Sequence, residues 1–139
     1  MNTDESKIRH LEAIQGIINR QANNSLAIKF LTGTITAAVI ANISRITTSA
    51  PCWMLAAPGV LPGIVFCFLD AMYLRQEQMF RKLYDKARIG EVNDPFSMNF
   101  VKYGGRAPNL FKLICSWSVG LFYFVNIVAV LAAVATRPG

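Results

Sequence analysis

Three apolar stretches, at residues 26–44, 53–74 and 113–135, constrain this 139-residue chain more than any other feature. A bilayer's hydrocarbon core is about 30 Å thick, and roughly 20 helical residues cross it. Each stretch has about that length, and charge falls only near its ends. A soluble domain this small has too little interior to bury three such helices. The charged fraction of 16% is also low, since about 25% is usual for soluble proteins. The expected fold is therefore an all-α membrane protein, one helical domain over 1–139. It has three transmembrane helices, an N-terminal amphipathic helix at about 4–23 and a cytoplasmic extension of the second span at about 73–89. A loop at about 90–112 leads to the third span.

The first stretch is the most polar, with Thr32, Thr34, Thr36 and Asn42 within it. Threonine is tolerated in a membrane helix because its hydroxyl can bond back to a backbone carbonyl. Gly33, Ala37 and Ala41 recur every four residues along one side. They either admit a neighbouring helix closely or are ordinary small-residue background. A cleavable signal peptide is not expected, because the polar residues 1–25 exceed a basic n-region.

Charge sets the expected orientation. Eight of the 14 Lys and Arg residues lie between the second and third stretches, and Lys7, Arg9, Arg20 and Lys29 precede or open the first. Only Arg45 and Arg137 fall on the opposite side. The positive-inside rule then places the N-terminus in the cytoplasm and the C-terminus on the opposite side of the membrane. The charges mix signs and no base-reading module is present, so nucleic acid is not an expected partner. Cys52, Cys67 and Cys115 show no CxxC spacing, and His10 is the only histidine. A zinc site needs about four N or S ligands, so neither metal nor cofactor is expected. No nucleophile–base pair or phosphate loop suggests an enzyme.

Thr3 to Ser6 carry cap-type side chains and the early acids Asp4 and Glu5, a helix start. Ile8, Leu11, Ile14, Ile18 and Ala22 follow at three- and four-residue steps, which makes an apolar stripe. A kink is expected near Asn23-Asn24, because paired Asn residues favour turns. In the second stretch, PGVLPG places Pro58, Pro62 and Gly63 inside a helix. Proline removes a backbone donor, so a bend or unwound segment is expected. It would serve either as a hinge or pore constriction, or as a static kink.

Beyond that segment, Leu69, Met72 or Tyr73, Gln76, Met79 or Phe80, Leu83 and Ala87 form a second stripe that leaves the membrane. Glu77–Arg81 and Arg81–Asp85 are spaced i,i+4, and Gly90 is a plausible stop. The economical arrangement packs the N-terminal helix on this extension; the alternative lays one stripe on the lipid surface. Tyr73, Gln76, Phe80, Leu83 and Tyr84 are the candidate partner-binding face. Asp94-Pro95 suggests a turn or short helix start. The aromatics Phe96, Phe100 and Tyr103, interleaved with Lys102 and Arg106, suit interfacial docking. Asn126, within the third stretch, should bond to another helix.

Asp70 is the one acid embedded in apolar sequence, and Lys29 lies at the same depth on an antiparallel span. A Lys29–Asp70 or Asp70–Arg75 contact that fixes helix register is expected. A proton or ion relay is the sharper alternative.

The segments KIRHLEAIQGIINRQANNSLAIK, FLDAMYLRQEQMFRKLYDKAR and DPFSMNF resemble a family of small, mostly uncharacterised bacterial integral membrane proteins. In that family an N-terminal helix leads into a membrane hairpin, a charged helix of the kind LDxxYLxQExxFRKLYDxxR, and an FSM segment. The layout is also similar to the SLATT group, two-span proteins often associated with nucleotide-signalled antiphage systems and thought to permeabilise membranes. The third span is additional to that layout, and no catalytic residue is carried over. The resemblance implies an oligomeric membrane effector or pore component with a cytoplasmic protein or nucleotide-signal partner. The rival expectations are a structural anchor or adaptor for a cytoplasmic partner, and a holin-like protein.

Overall fold

A computed structural model describes residues 3–43, 45, 50–92, 97–103 and 105–136. The expected turn at Asp94-Pro95, the docking aromatic Phe96, and residues 46–49 and 137–139 lie outside them. The described residues form helices and connecting loops, with no strand among them. Two long helices dominate: α1, Thr3–Ile43, and α2, Cys52–Arg88. Two short ones follow, α3, Phe100–Tyr103, and α4, Leu110–Ile114. A π-helical turn, Trp117–Leu121, then leads into α5, Phe122–Ala135. Three helices are long and apolar enough to cross a membrane, the third being Trp117–Ala135.

At 1.5 Å per residue, α1 and α2 are about 60 and 55 Å long. Each therefore exceeds a bilayer core by nearly twofold, and the surplus of both lies at the same end. There the two helices pack on each other. Ile14 meets Phe80, Leu83 and Ala87 in a core flanked by Leu11, Ile17, Ile18 and Tyr84. Phe100 and Tyr103 of α3 close its side, and the Phe80 and Phe100 rings are 4.9 Å apart. This extramembranous lobe is the packed alternative of the two sequence readings. Burying each of Ile14, Phe80 and Leu83 stabilises by about 1.5–3 kcal/mol.

α1 does not break at Asn23-Asn24. Asn23 is exposed and Asn24 half-buried, so packing of the neighbouring turns on α2 outweighs their weak helix propensity. The expected stripe holds at Leu11, Ile14 and Ile18, which pack in the lobe core, and fails at its ends. Ile8 and Ala22 face outward, whereas Ser6, His10, Gln21, Thr32 and Thr36 are buried with Ile14 and Ile43.

α2 likewise shows no unwinding at Pro58 or Pro62. The PGVLPG segment serves packing: a Cβ at Gly59 would lie 2.8 Å from Val130 Cγ2, and one at Gly63 would lie 3.7 Å from Ile127 Cγ1. Gly59 thus allows α5 to approach, above a core of Ile43, Leu55, Ala56, Val130 and Val134. Gly59→Ala is expected to cost about 1–3 kcal/mol through overpacking. Gly63→Ala should be neutral or stabilise by up to about 1 kcal/mol from helix propensity. Unfolding of both variants by SDS titration in mixed micelles checks the difference.

α2 ends where the sequence suggested. Gly90, at φ 82°, donates its N–H to Ala87 O, and Glu91 N–H bonds Lys86 O at 3.0 Å. That pair of bonds is a Schellman cap.

The third apolar stretch is not one helix over 113–135. The chain turns at Cys115-Ser116, where Ser116 is extended (ψ 154°), before the π-helical turn begins. The fold-back brings the Ile114 carbonyl oxygen to 2.7 Å from where a Cβ on Gly120 would sit, so only glycine fits without displacing backbone. Asn126 bonds its own helix, Nδ2 to Phe122 O at 2.8 Å, rather than a neighbour. Thr32 and Thr34 bond back to Ile28 O and Phe30 O.

Candidate functional site

α1, α2 and the third apolar helix meet in one polar cluster. From Trp53 to Asp70, α2 rises about 26 Å, so Asp70 lies just inside the far edge of an apolar layer about 30 Å thick. Its side chain is fully buried, and Lys29 Nζ stands 2.6 Å from Oδ2. Ser25 Oγ donates to Asp70 Oδ1, while Lys29 Nζ donates to Ser25 Oγ at 2.9 Å. Ser25 and Lys29 are one turn apart on α1, so a single carboxylate clamps that turn through both oxygens. The Ala71, Leu113, Val119 and Tyr123 core packs around this depth, with Ile28, Phe66 and Cys67 at its margin.

The Lys29–Asp70 pair is thus a buried contact between helices, not a solvent-screened one. The two charges stand within ion-pair distance, while Oδ2 completes no hydrogen bond. Their partners must be in place, because an isolated charge in an apolar layer is expensive. A one-turn slip of α1 against α2 would strand Asp70, so the cluster sets the register of the two helices. Arg75 does not join it. Among the described residues Arg75 forms no ion pair and instead lines a groove with Met72 and Gln76.

Ser25 and Tyr123 were not singled out from sequence, and Thr32 stood there only as a polar residue of the first stretch. Tyr123, buried in the third apolar helix, directs its hydroxyl toward Thr32 and Asp70 without meeting either at good hydrogen-bond geometry. Removing that hydroxyl forfeits no well-made bond and relieves a buried polar atom. Tyr123→Phe is accordingly expected to change stability by less than about 1 kcal/mol in the same SDS titration.

The remaining candidates are dispersed. Pro58 is exposed and Pro62 half-buried on α2, and Gly63 faces Ile127. Phe80 and Leu83 are buried in the lobe core against α1, so of the proposed partner face only Tyr73, Gln76 and Tyr84 keep partial exposure. Arg81 pairs with Glu77 at 2.6 Å and forms no ion pair with Asp85. A second inter-element tie went unread in the sequence: His10, buried on α1, donates Nε2–H to Ser97 O at 3.1 Å. It holds the segment after α2 against the lobe. The side chains present no cluster of three or more His, Cys, Asp or Glu able to hold a metal among the described residues. The three cysteines are free.

The fold and the cluster define an all-α, multi-pass membrane protein whose spans are keyed together by a buried charge pair. Compared with known proteins, the chain matches no family model, no curated protein and no solved structure.

Proposed function

We propose that the chain is an oligomeric effector, or pore-type component, of a bacterial inner membrane, with the α1–α2 lobe and the N-terminus in the cytoplasm and the C-terminus outside. The observation that carries this reading is the continuity of α1 and α2 from the lobe into the apolar layer. A displacement at the lobe passes along two stiff helices, keyed at Lys29–Asp70, to the spans around Pro58 and Pro62. The orientation rests on the basic residues that flank the lobe. A cytoplasmic protein or a nucleotide signal is the proposed trigger and antiphage defence the proposed setting; both rest on the resemblance of layout alone.

A pore requires assembly, because the three apolar helices of one copy are too few to enclose an aqueous channel. The side of α1 that carries Gly33 and Ala37 supports such assembly. A Cβ at Gly33 would meet nothing within 4 Å, and a groove of about 540 Å³ runs past Leu26, Phe30, Thr34 and Ala37. Small residues favour close helix approach in lipid. The anchor or adaptor reading draws on the partly exposed Tyr73, Gln76 and Tyr84 of the lobe.

Induced expression in cells carrying a membrane-potential dye tests the proposal. Depolarisation in the presence of the natural trigger is the expected result. An unchanged potential with the trigger present refutes the effector reading and leaves the anchor.

A further inference from the structure

The lobe meets the apolar layer at a groove of which the readings above use only Gln76. Met72 and Met79 of α2 form one wall, and Phe100 and Val101 of α3 the other, around about 430 Å³. Two polar side chains enter it, Arg75 and Gln76. Arg75 is half-buried and forms no ion pair or hydrogen bond among the described residues. A guanidinium part-sheltered among methionine and phenylalanine side chains without an anion is a costly arrangement unless something brings the anion.

The charge around the groove points the same way. Gly105 and Ala107 complete its lining. Arg106 between them is exposed, and its carbonyl oxygen accepts from Lys82 Nζ at 3.2 Å. Lys102 is also exposed on α3. From 97 to 112 the sequence holds Lys102, Arg106 and Lys112 and no acid. The nearest carboxylate along α2, Glu77, is held by Arg81.

The depth identifies the source of the anion. Arg75 lies about 8 Å beyond Asp70 along α2, which is headgroup level at the edge where Asp70 sits. Val101, which lines the groove, and Trp117 and Phe111, which open the third apolar helix and α4, are all more than 70% exposed. Large apolar and aromatic side chains held outward at this level suit the interface with lipid. A guanidinium forks onto phosphate oxygens in two-bond geometry, and the apolar walls accept the glycerol backbone and the start of an acyl chain. We infer that the Arg75 groove binds an anionic phospholipid, its phosphate on Arg75 and its upper acyl chains leaving toward the apolar layer past Met72, with Met79 and Val101 walling the headgroup. The inference rests on the membrane placement of the three helices and is independent of the effector reading.

Native mass spectrometry of the full chain, released from detergent after titration with phosphatidylglycerol or phosphatidylcholine of matched acyl chains, tests it. A basic residue near an anionic surface is expected to give about a fivefold preference for phosphatidylglycerol. Arg75→Gln should remove that preference and Arg75→Lys should keep part of it. Arg81→Gln, which alters a cation paired to Glu77, should leave it unchanged. Circular dichroism confirms that each variant keeps its helix content. Equal retention of the two lipids by the unaltered chain overturns the inference. So does an Arg75→Gln variant that retains the preference. Full competition by soluble glycerol phosphate at equal concentration also overturns it, since the site would then recognise phosphate without lipid. Failure to enter lipid nanodiscs would count instead against the membrane placement.

Discussion

Asp70→Ala is expected to cost about 3–5 kcal/mol, because it leaves Lys29 part-buried without its anion. Ser25 loses its acceptor at the same time. The size follows from the environment: Asp70 is fully buried and Lys29 only 19% exposed, so water cannot replace the missing carboxylate well. A pair replaced as a whole should behave differently. Lys29→Met with Asp70→Leu removes both charges and is expected to recover most of the loss, since apolar side chains of similar volume are often neutral at such sites. The four-cornered comparison by SDS titration isolates the interaction between the two residues. A loss below about 1 kcal/mol for Asp70→Ala would refute the claim that this contact holds the helix register.

Leu83→Ala is the second large effect, expected at about 2–5 kcal/mol for a fully buried leucine. What distinguishes it is where the damage goes. Leu83 belongs to the lobe core with Ile14, Phe80 and Ala87. The polar cluster and the core at the far end share none of these buried residues. The variant should therefore open the lobe while the apolar helices hold, in keeping with the uneven stability of separate packed units. Hydrogen exchange of the chain in lipid nanodiscs reads this directly. Faster exchange is expected over 8–20 and 77–90 and little change over 55–68. Loss of protection in the last range would show that lobe and spans form one cooperative unit.

The parts of this structure that were legible from sequence share a cause. Apolar length marks the three membrane-crossing helices, and a two-helix lobe follows once α2 is seen to continue its stripe past the membrane. Gly90 ends that helix by a mechanism with a known signature. Lys29 and Asp70 stand out because charge is rare in apolar sequence, and their common depth follows from the hairpin. The residues that surround them do not stand out. Ser25 and Tyr123 are ordinary in membrane helices, and only three-dimensional placement turns them toward one carboxylate. Apolar periodicity marks only the Leu11, Ile14 and Ile18 part of α1's inward side, because that side also carries His10, Gln21 and Thr36 while Ile8 faces out. PGVLPG draws the eye to its prolines, whereas Gly59 governs how closely α5 packs. The interruption at Cys115-Ser116 carries no proline or glycine at the break itself. Its signature is Gly120, several residues on, where no local rule would look.

The clamp on the α1 turn has a consequence for how the protein is made. Ser25 and Asp70 are 45 residues apart in the chain, and Lys29 emerges from the ribosome with the same apolar segment as Ser25. Until Asp70 follows, the Lys29 ammonium has its stem to carry it to the headgroup level and no buried partner. The first membrane-crossing helix acquires its counter-charge only when the second helix arrives beside it, so the two settle as a pair, and the order of synthesis is built into the order of assembly.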